Sequence, residues 1–186
     1  MQGEPLCKGF EAPFAGLASV LELLPMKKLL FVCMGNICRS PTGEGIMQSV
    51  VEKANLSDKI FCDSAGTIGY HTGERADSRM REHCSKRGYD LQSRARQFKA
   101  PDDFESFDYI LVADDQNLQD ILRQDHGDEY GHKVMKLTDF CQNIEADEVP
   151  DPYYGGTAGF DQVLNIIEEA SGGLLEDIRR YHIKEA

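Results

Sequence analysis

The chain has 186 residues, of which 41% are hydrophobic and 28% are charged, and its formal net charge is −12. This length fits one folded domain with a sizeable core, and no apolar run reaches the about 18 to 20 residues that a membrane span requires. The acidic balance argues against general nucleic-acid binding, which needs a basic face. Composition therefore indicates a single domain without nucleic-acid or membrane partners.

Residues 1–26 come before the regular pattern of the chain. They contain an apolar stretch at 14–21, with Glu4 and Glu11 ahead of it and Lys8 as the only offsetting charge. A secretory signal begins with positive charge, and a transit peptide is rich in arginine and poor in acids, so neither fits well. We expect residues 1–26 to be a poorly ordered or loosely packed extension of a domain at 27–186. An organellar address in residues 1–25 is the less favoured alternative.

From Lys27 onward, strand patterns alternate with helical patterns. Strands are predicted at 28–33, 59–64, 109–112 and 134–137, and helices at 41–54, from Asp77 to Arg87, after a cap at Asp114 or Asp115, and at 158–182. In the last helix, Gly172-Gly173 is a predicted weak point, because glycine costs helix stability. Alternation of this kind predicts a single α/β domain with a central four-stranded parallel sheet and helices on both faces, Rossmann-like or flavodoxin-like.

The most informative segment lies between the first strand and the first helix. It consists of Cys33, Met34, Gly35, Asn36, Ile37, Cys38, Arg39 and Ser40. Backbone N–H groups of such a loop converge on one point at a helix N-terminus and favour an anion there. The same field favours the thiolate of Cys33, and the planar fork of Arg39 can grip two phosphate oxygens. The segment therefore predicts a phosphate-binding loop at the end of the first strand, with a nucleophile and an arginine clamp.

A second candidate lies near the other end of the chain. Asp151 stands between Pro150 and Pro152, which restrict the backbone, and Tyr153 and Tyr154 follow. A carboxyl group placed in this way can act as general acid and then as general base. An ordinary Asp-Pro turn is the alternative when the residues are taken alone.

The phosphate-binding loop resembles the Cys-x5-Arg-Ser signature of the low-molecular-weight protein tyrosine phosphatases. Further segments are similar to that family in its order, at 63–67, 94–97, 107–111, 114–118 and 151–155. The resemblance covers roughly residues 27 to 181. It implies metal-independent hydrolysis of phosphotyrosine through a phosphocysteine on Cys33, with Arg39 binding the phosphoryl oxygens and Asp151 as general acid and base. Implied partners are a tyrosine-phosphorylated protein or small aryl phosphate, and inorganic phosphate as product and inhibitor.

The resemblance also implies supporting roles for residues around the loop. Ser40 would donate a hydrogen bond to the thiolate, Asn36 would adopt a left-handed conformation, and Ser64 would support Asn36. Ser93 stands where the family often has a histidine, which is a departure in this network.

Aromatic residues complete the implied site. Tyr153 and Tyr154 would form the wall along which a phenyl ring stacks, and Tyr70 would line the opposite side. For Tyr70 a purely structural role is an equal alternative.

Six cysteines sit at no regular spacing, and a chain of this length needs no disulfide staples. No pair has the spacing of a zinc site, so we expect no metal, no cofactor and a reduced, cytoplasmic setting. Cys38 is either a redox partner that forms a disulfide with oxidised Cys33 or a small residue packed beneath the loop.

Charge is unevenly distributed along the chain. From Arg75 to Lys99 there are eight basic and three acidic residues, whereas from Asp102 to Gly131 there are ten acids and one base. These stretches are either solvated helix faces of opposite sign or, for the basic one, an approach to an anionic substrate.

Two other functions remain open. Arsenate reduction uses the same fold and loop, but it needs downstream cysteines to relay a disulfide, and here Cys84 and Cys141 are isolated. A non-catalytic phosphate-binding regulatory module would be marked by loss of Cys33, Arg39 or Asp151, and all three are present.

Overall fold

A computed structural model describes residues 25–154 and 156–183. Its sheet consists of β1 (Lys27–Cys33), β2 (Ile60–Gly66), β3 (Tyr109–Val112) and β4 (Val134–Lys136). The strands lie in the order β2-β1-β3-β4, and every neighbouring pair is parallel. The predicted fold class is therefore confirmed, with β1 in the interior of the sheet.

Helices cover both faces of this sheet. They are α1 (Arg39–Lys53), α2 (Ser78–Lys86), α3 (Asp102–Ser106), α4 (Asp115–Leu122) and α5 (Gly156–His182), with 3-10 turns at Gly131–Lys133, Leu137–Phe140 and Pro152–Tyr154. Side chains alternate along a strand, so Leu29 and Phe31 face the larger core with α1, α2 and α5. Leu30 and Val32 face the smaller core with α3 and α4. No helix in the described ranges has the length and apolarity to cross a bilayer.

Element boundaries follow local hydrogen bonding. Asp77 caps α2 by accepting from the backbone of Arg79, and Asp114 caps α4 by accepting from Asn117 N at 2.7 Å. The first helix begins at Arg39 rather than at 41, because the phosphate-binding loop winds directly into it and Thr42 N bonds Cys38 O. Helix α3 was not predicted, since five residues are too few to show a helical period. Of the predicted extension at 1–26, residues 1–24 lie outside the described residues.

The helix does not break at Gly172-Gly173, the predicted weak point. Helix α5 runs without interruption through both glycines. A Cβ atom built on Gly173 would lie 2.0 Å from the carbonyl oxygen of Phe140, whereas one built on Gly172 would meet nothing within 4 Å. Gly173 therefore lets the Leu137–Phe140 turn approach the helix backbone, and tertiary packing outweighs its low helix propensity.

The two glycines provide a matched pair of substitutions. Gly173→Ala should lower the free energy of unfolding by about 1 to 3 kcal/mol, the usual cost of overpacking. Gly172→Ala should instead raise it by about 0.5 to 1 kcal/mol, since alanine is the better helix former at an open position. Urea unfolding of both variants measures the difference. Equal effects would show that the close approach at Gly173 is unimportant.

Candidate active site

The phosphate-binding loop, residues 33–40, joins the carboxyl end of β1 to α1. Its first residue, Cys33, and its last but one, Arg39, are 3% and 6% exposed. Asn36 has a φ of 55°, the left-handed conformation expected from the sequence, which asparagine tolerates better than most residues. Helix α1 starts at Arg39, so its free N–H groups and its dipole point into the loop.

A buried hydrogen-bond network holds Cys33 and the loop. The Sγ atom of Cys33 and the Oγ atom of Ser40 lie 3.0 Å apart. The Asn36 amide donates to Ser40 Oγ and to Ser64 Oγ, each at 2.9 Å, and its oxygen accepts from Arg96 N at 2.9 Å. Once Cys33 is ionised, the Ser40 hydroxyl is the only donor of that pair. The loop conformation and the thiolate contact are thus fixed by the same amide.

The network ends at a carboxyl group that the sequence analysis missed. Ser64 Oγ donates to Glu44 Oε2 at 2.5 Å, and Ser93 also hydrogen-bonds Glu44. Burial raises the pKa of Glu44, against the hydrogen bonds from Ser64 and Ser93 that favour its charged form. Ser93, at the position where the family often has a histidine, therefore still takes part in the network. A signal was present in the sequence, because Glu44 lies one helical turn beyond Ser40 on the buried side of α1.

A second missed residue anchors the arginine. Arg39 Nη1 donates to Asp114 Oδ2 at 2.5 Å and to the carbonyl oxygen of Val149 at 3.1 Å. Asp114 also caps α4 through its other oxygen, so it connects β3 to the loop. Arg39 Nη2 lies 3.8 Å from Asp151 Oδ2. The guanidinium is therefore fixed at Nη1, Arg39 lines the cleft, and Nη2 lies toward the candidate general acid.

These residues line one cleft of about 420 Å³. The lining consists of Cys33, Met34, Gly35, Ile37, Cys38, Arg39, Tyr70, His71, Asp151 and Tyr153. The structure thus brings together the predicted nucleophile, clamp and general acid, although Asp151 comes from the far end of the sequence. His71 lines the cleft without having been predicted.

Asp151 and the aromatic residues form the walls of the cleft. Asp151 accepts a hydrogen bond from Tyr153 N at 3.0 Å, which orients its side chain. The Tyr153 ring is covered by the Arg79 guanidinium at 5.2 Å. Tyr70, 83% exposed, stands at the mouth with its ring edge-on to His71. The side chain of Tyr154 lies outside the described residues.

Cys38 also lines this cleft. It is 7% exposed, and burial raises its pKa to about 12, with Asp77 and Cys33 adding to the effect. The five described cysteines are Cys33, Cys38, Cys62, Cys84 and Cys141, and all are free thiols. No cluster of three or more metal-ligating side chains occurs in residues 25–154 and 156–183. Fold and cleft together define an α/β protein with a cysteine-containing phosphate-binding loop.

Comparison with known proteins identifies the family. Residues 28–184 match the family described as low molecular weight phosphotyrosine protein phosphatase. A Synechocystis sp. protein assigned by name to the low molecular weight protein-tyrosine-phosphatases is 52% identical over 81% of this chain and 96% of its own length. The corresponding Streptomyces coelicolor protein is 39% identical over 82% of this chain and 93% of its own. The chain therefore belongs to the low molecular weight phosphotyrosine protein phosphatase family.

Solved structures agree with this assignment. A crystal structure of a protein tyrosine phosphatase from Entamoeba histolytica, with Hepes in its active site, superposes with a TM-score of 0.80. It is 45% identical in sequence and covers 83% of this chain and 97% of its own. The fold described above is thus shared with an experimentally determined protein tyrosine phosphatase.

Proposed function

We propose that this protein hydrolyses phosphotyrosine and related aryl phosphate monoesters without a metal ion, through a phosphocysteine on Cys33. The observation that carries the proposal is the convergence of Cys33, Arg39 and Asp151 in one cleft on a buried phosphate-binding loop. Family membership supports it independently.

In the first step, the Cys33 thiolate attacks phosphorus and the bond from phosphorus to the phenolic oxygen breaks. Asp151 gives its proton to the departing oxygen, so that phenol rather than phenolate leaves. Loop N–H groups and Arg39 stabilise the charge on the equatorial oxygens. Arg39 can use Nε and Nη2 for this purpose, because Nη1 is occupied by Asp114 and Val149.

In the second step, water attacks the phosphocysteine and the sulfur–phosphorus bond breaks. Asp151, now a carboxylate, takes the proton from that water, and the Cys33 thiolate is regenerated with Ser40 as its hydrogen-bond donor. Inorganic phosphate is the product, and it occupies the same cradle as the substrate phosphoryl group. We therefore expect it to be a competitive inhibitor.

The proposed substrate is a phosphate ester of a phenol rather than a phosphate ester of a short alkyl alcohol. Tyr153 and Tyr70 line the same cleft as Cys33, and they would enclose a ring whose phosphate reaches Cys33. Arsenate reduction is less well supported, since Cys84 is completely buried and hydrogen-bonded to Thr42. A non-catalytic, phosphate-binding regulatory module would not need the oriented carboxyl group of Asp151.

One set of assays tests this function. Hydrolysis of a phosphotyrosine peptide and of p-nitrophenyl phosphate is measured in EDTA, beside a phosphoserine peptide of the same sequence and thiol-dependent arsenate turnover. We expect rapid hydrolysis of the two aryl esters, little of the phosphoserine peptide and no arsenate turnover. Arsenate turnover without aryl phosphate hydrolysis would reverse the assignment, and absence of every activity would favour the regulatory role.

We also propose that Cys38 protects Cys33 from irreversible oxidation. A sulfenic acid on Cys33 would condense with the Cys38 thiol to a disulfide, releasing water, and a dithiol would restore both thiols. Brief peroxide treatment followed by dithiothreitol should restore most activity to the wild type and several-fold less to Cys38→Ser. A Cys62→Ser variant is the control, as Cys62 is also buried but lies in the core. Equal recovery of all three proteins would exclude this protection.

We infer, finally, that residues 27–186 form the catalytic domain and that the protein works in the reducing cytoplasm. The free thiols of the described cysteines support the second point. The inference about the catalytic domain is tested by comparing the activity of a protein that begins at Met26 with that of the full chain.

A further inference from the structure

Three arginines meet on one short segment beside the cleft, and we call Arg75, Arg81 and Arg94 the arginine rim. Arg75 and Arg94 are paired in an isolated antiparallel bridge, so their backbones are adjacent. Arg94 Nη1 donates to the carbonyl oxygen of Gly73 at 3.1 Å, and Arg81 Nε donates to that of Ala76 at 2.9 Å. The segment 73–76 therefore gathers three positive charges from three separate parts of the sequence.

No carboxylate neutralises the rim within the described part of the chain. None of its three arginines takes part in a salt bridge there, although the protein carries a net charge of −12. The acids next to the rim in sequence are engaged elsewhere, Glu74 with His71 at 2.8 Å, Asp77 with Arg79 at 3.0 Å and Glu82 with Lys86 at 2.8 Å. Like charges held side by side are unfavourable unless an anion joins them.

The rim is attached directly to the phosphate-binding loop. Asp77 N donates to the carbonyl oxygen of Ile37 at 2.8 Å, two residues beyond Arg75, and Ile68 N donates to that of Met34 at 3.0 Å. Tyr70 and His71, between these two bonds, line the cleft. The 70–77 segment therefore borders the cleft, on a path open to a peptide that places phosphotyrosine over Cys33.

We propose that the arginine rim binds carboxylate side chains that flank phosphotyrosine in a polypeptide substrate. This inference rests on the proposed function and specifies its substrate class, an acidic phosphopeptide. Arg75 and Arg94 are exposed and can turn their guanidinium groups toward such a segment. The basic stretch of the sequence thus acts as an approach to the anionic substrate.

The charge of the remaining surface sharpens this preference. The protein as a whole carries a net charge of −12, so the unneutralised rim attracts an acidic peptide locally and orients the peptide on it. Because Arg75 and Arg94 are solvent-exposed and Arg81 is only partly buried, each contact should be modest, roughly two- to fivefold in kcat/KM, and sensitive to salt.

The test compares two phosphotyrosine peptides that differ only in having Glu or Gln at the positions flanking the phosphotyrosine. For the wild type we expect kcat/KM to be about fivefold higher for the Glu peptide, through KM, and the preference should fade in about 0.5 M salt. The double variant Arg75→Gln/Arg94→Gln should show a Glu-to-Gln peptide ratio near one. Arg179→Gln/Arg180→Gln is the matched control, because these exposed arginines lie near the far end of α5, roughly 35 Å along the helix from its start.

The outcomes distinguish failure of the proposed selectivity of the rim from failure of the proposed phosphatase function. If the wild type hydrolyses the Glu and Gln peptides equally, or if the control variant loses the preference as completely as the rim variant, the rim does not select acidic substrates. Hydrolysis of the Gln peptide by the rim variant shows that it is folded. If the wild type hydrolyses neither peptide nor p-nitrophenyl phosphate, the proposed function itself has failed.

Discussion

Replacement of Cys33 by serine is expected to reduce turnover of p-nitrophenyl phosphate by at least about 10⁴-fold while phosphate binding is retained. A serine hydroxyl in this site is not ionised near neutral pH, so the attacking group is lost. The cradle itself remains, since the loop N–H groups and Arg39 do not depend on the sulfur atom. Initial rates and calorimetric titration with inorganic phosphate measure the two properties separately.

A matched control distinguishes the nucleophile from a structural thiol. Cys141 is a free cysteine outside the cleft whose sulfur lies 3.8 Å from a backbone oxygen in α5. Cys141→Ser should keep near wild-type rates. Appreciable hydrolysis by Cys33→Ser would remove Cys33 from its proposed role, and loss of phosphate binding in that variant would show that the thiol shapes the loop.

The sequence alone was sufficient to predict those features that depend on residues close together in the chain. The phosphate-binding loop could be predicted because nucleophile, glycine turn and clamp lie within eight consecutive residues, and Asp77 could be recognised as a cap from its position before an apolar period. The alternation of strands and helices was equally local, and it determined the parallel sheet. Gly66, in the segment 63–67, is explained only by the fold, because a Cβ there would lie 2.8 Å from Met34 O.

The functional residues that the sequence analysis missed make their contacts with residues that are distant in sequence and lie on other elements of the fold. Asp114 could be placed at the end of β3, but its contact with Arg39 depends on β3 lying next to β1, which the strand order alone establishes. Glu44 has an ordinary helical position in the sequence, and its burial depends on Ser64 from β2 and on Ser93. The packing role of Gly173 was missed for the same reason, since helix propensity says nothing about the approach of Phe140.

These contacts also explain how the loop can stay rigid while charge develops on the phosphoryl group in the proposed reaction. The Asn36 amide fixes the loop through Ser40 and Ser64, so the backbone donors need not rearrange as charge develops on the phosphoryl group. Arg39 is anchored at one nitrogen only. In the proposed mechanism the proton transfers then fall to one exposed carboxyl group, that of Asp151.

Asp151→Asn is therefore expected to slow hydrolysis of esters with poor leaving groups, such as phenyl phosphate, by about 10² to 10⁴-fold, the usual contribution of a general acid. An amide cannot release a proton to the departing oxygen, although it keeps the size and the hydrogen bond from Tyr153 N. For p-nitrophenyl phosphate the loss should be smaller, because that phenolate leaves without full protonation. Plots of log kcat/KM against leaving-group pKa should thus become steeper in the variant.

The control for this variant is Asp147→Asn, the same chemical change at an exposed residue four positions earlier and outside the cleft lining. It should leave both the rates and the leaving-group dependence unchanged. An Asp151→Asn protein that loses the same factor with every leaving group would contradict the acid role. Asp151 would then serve only to orient Arg39, from which it lies 3.8 Å in this structure, and the proton would have to come from water.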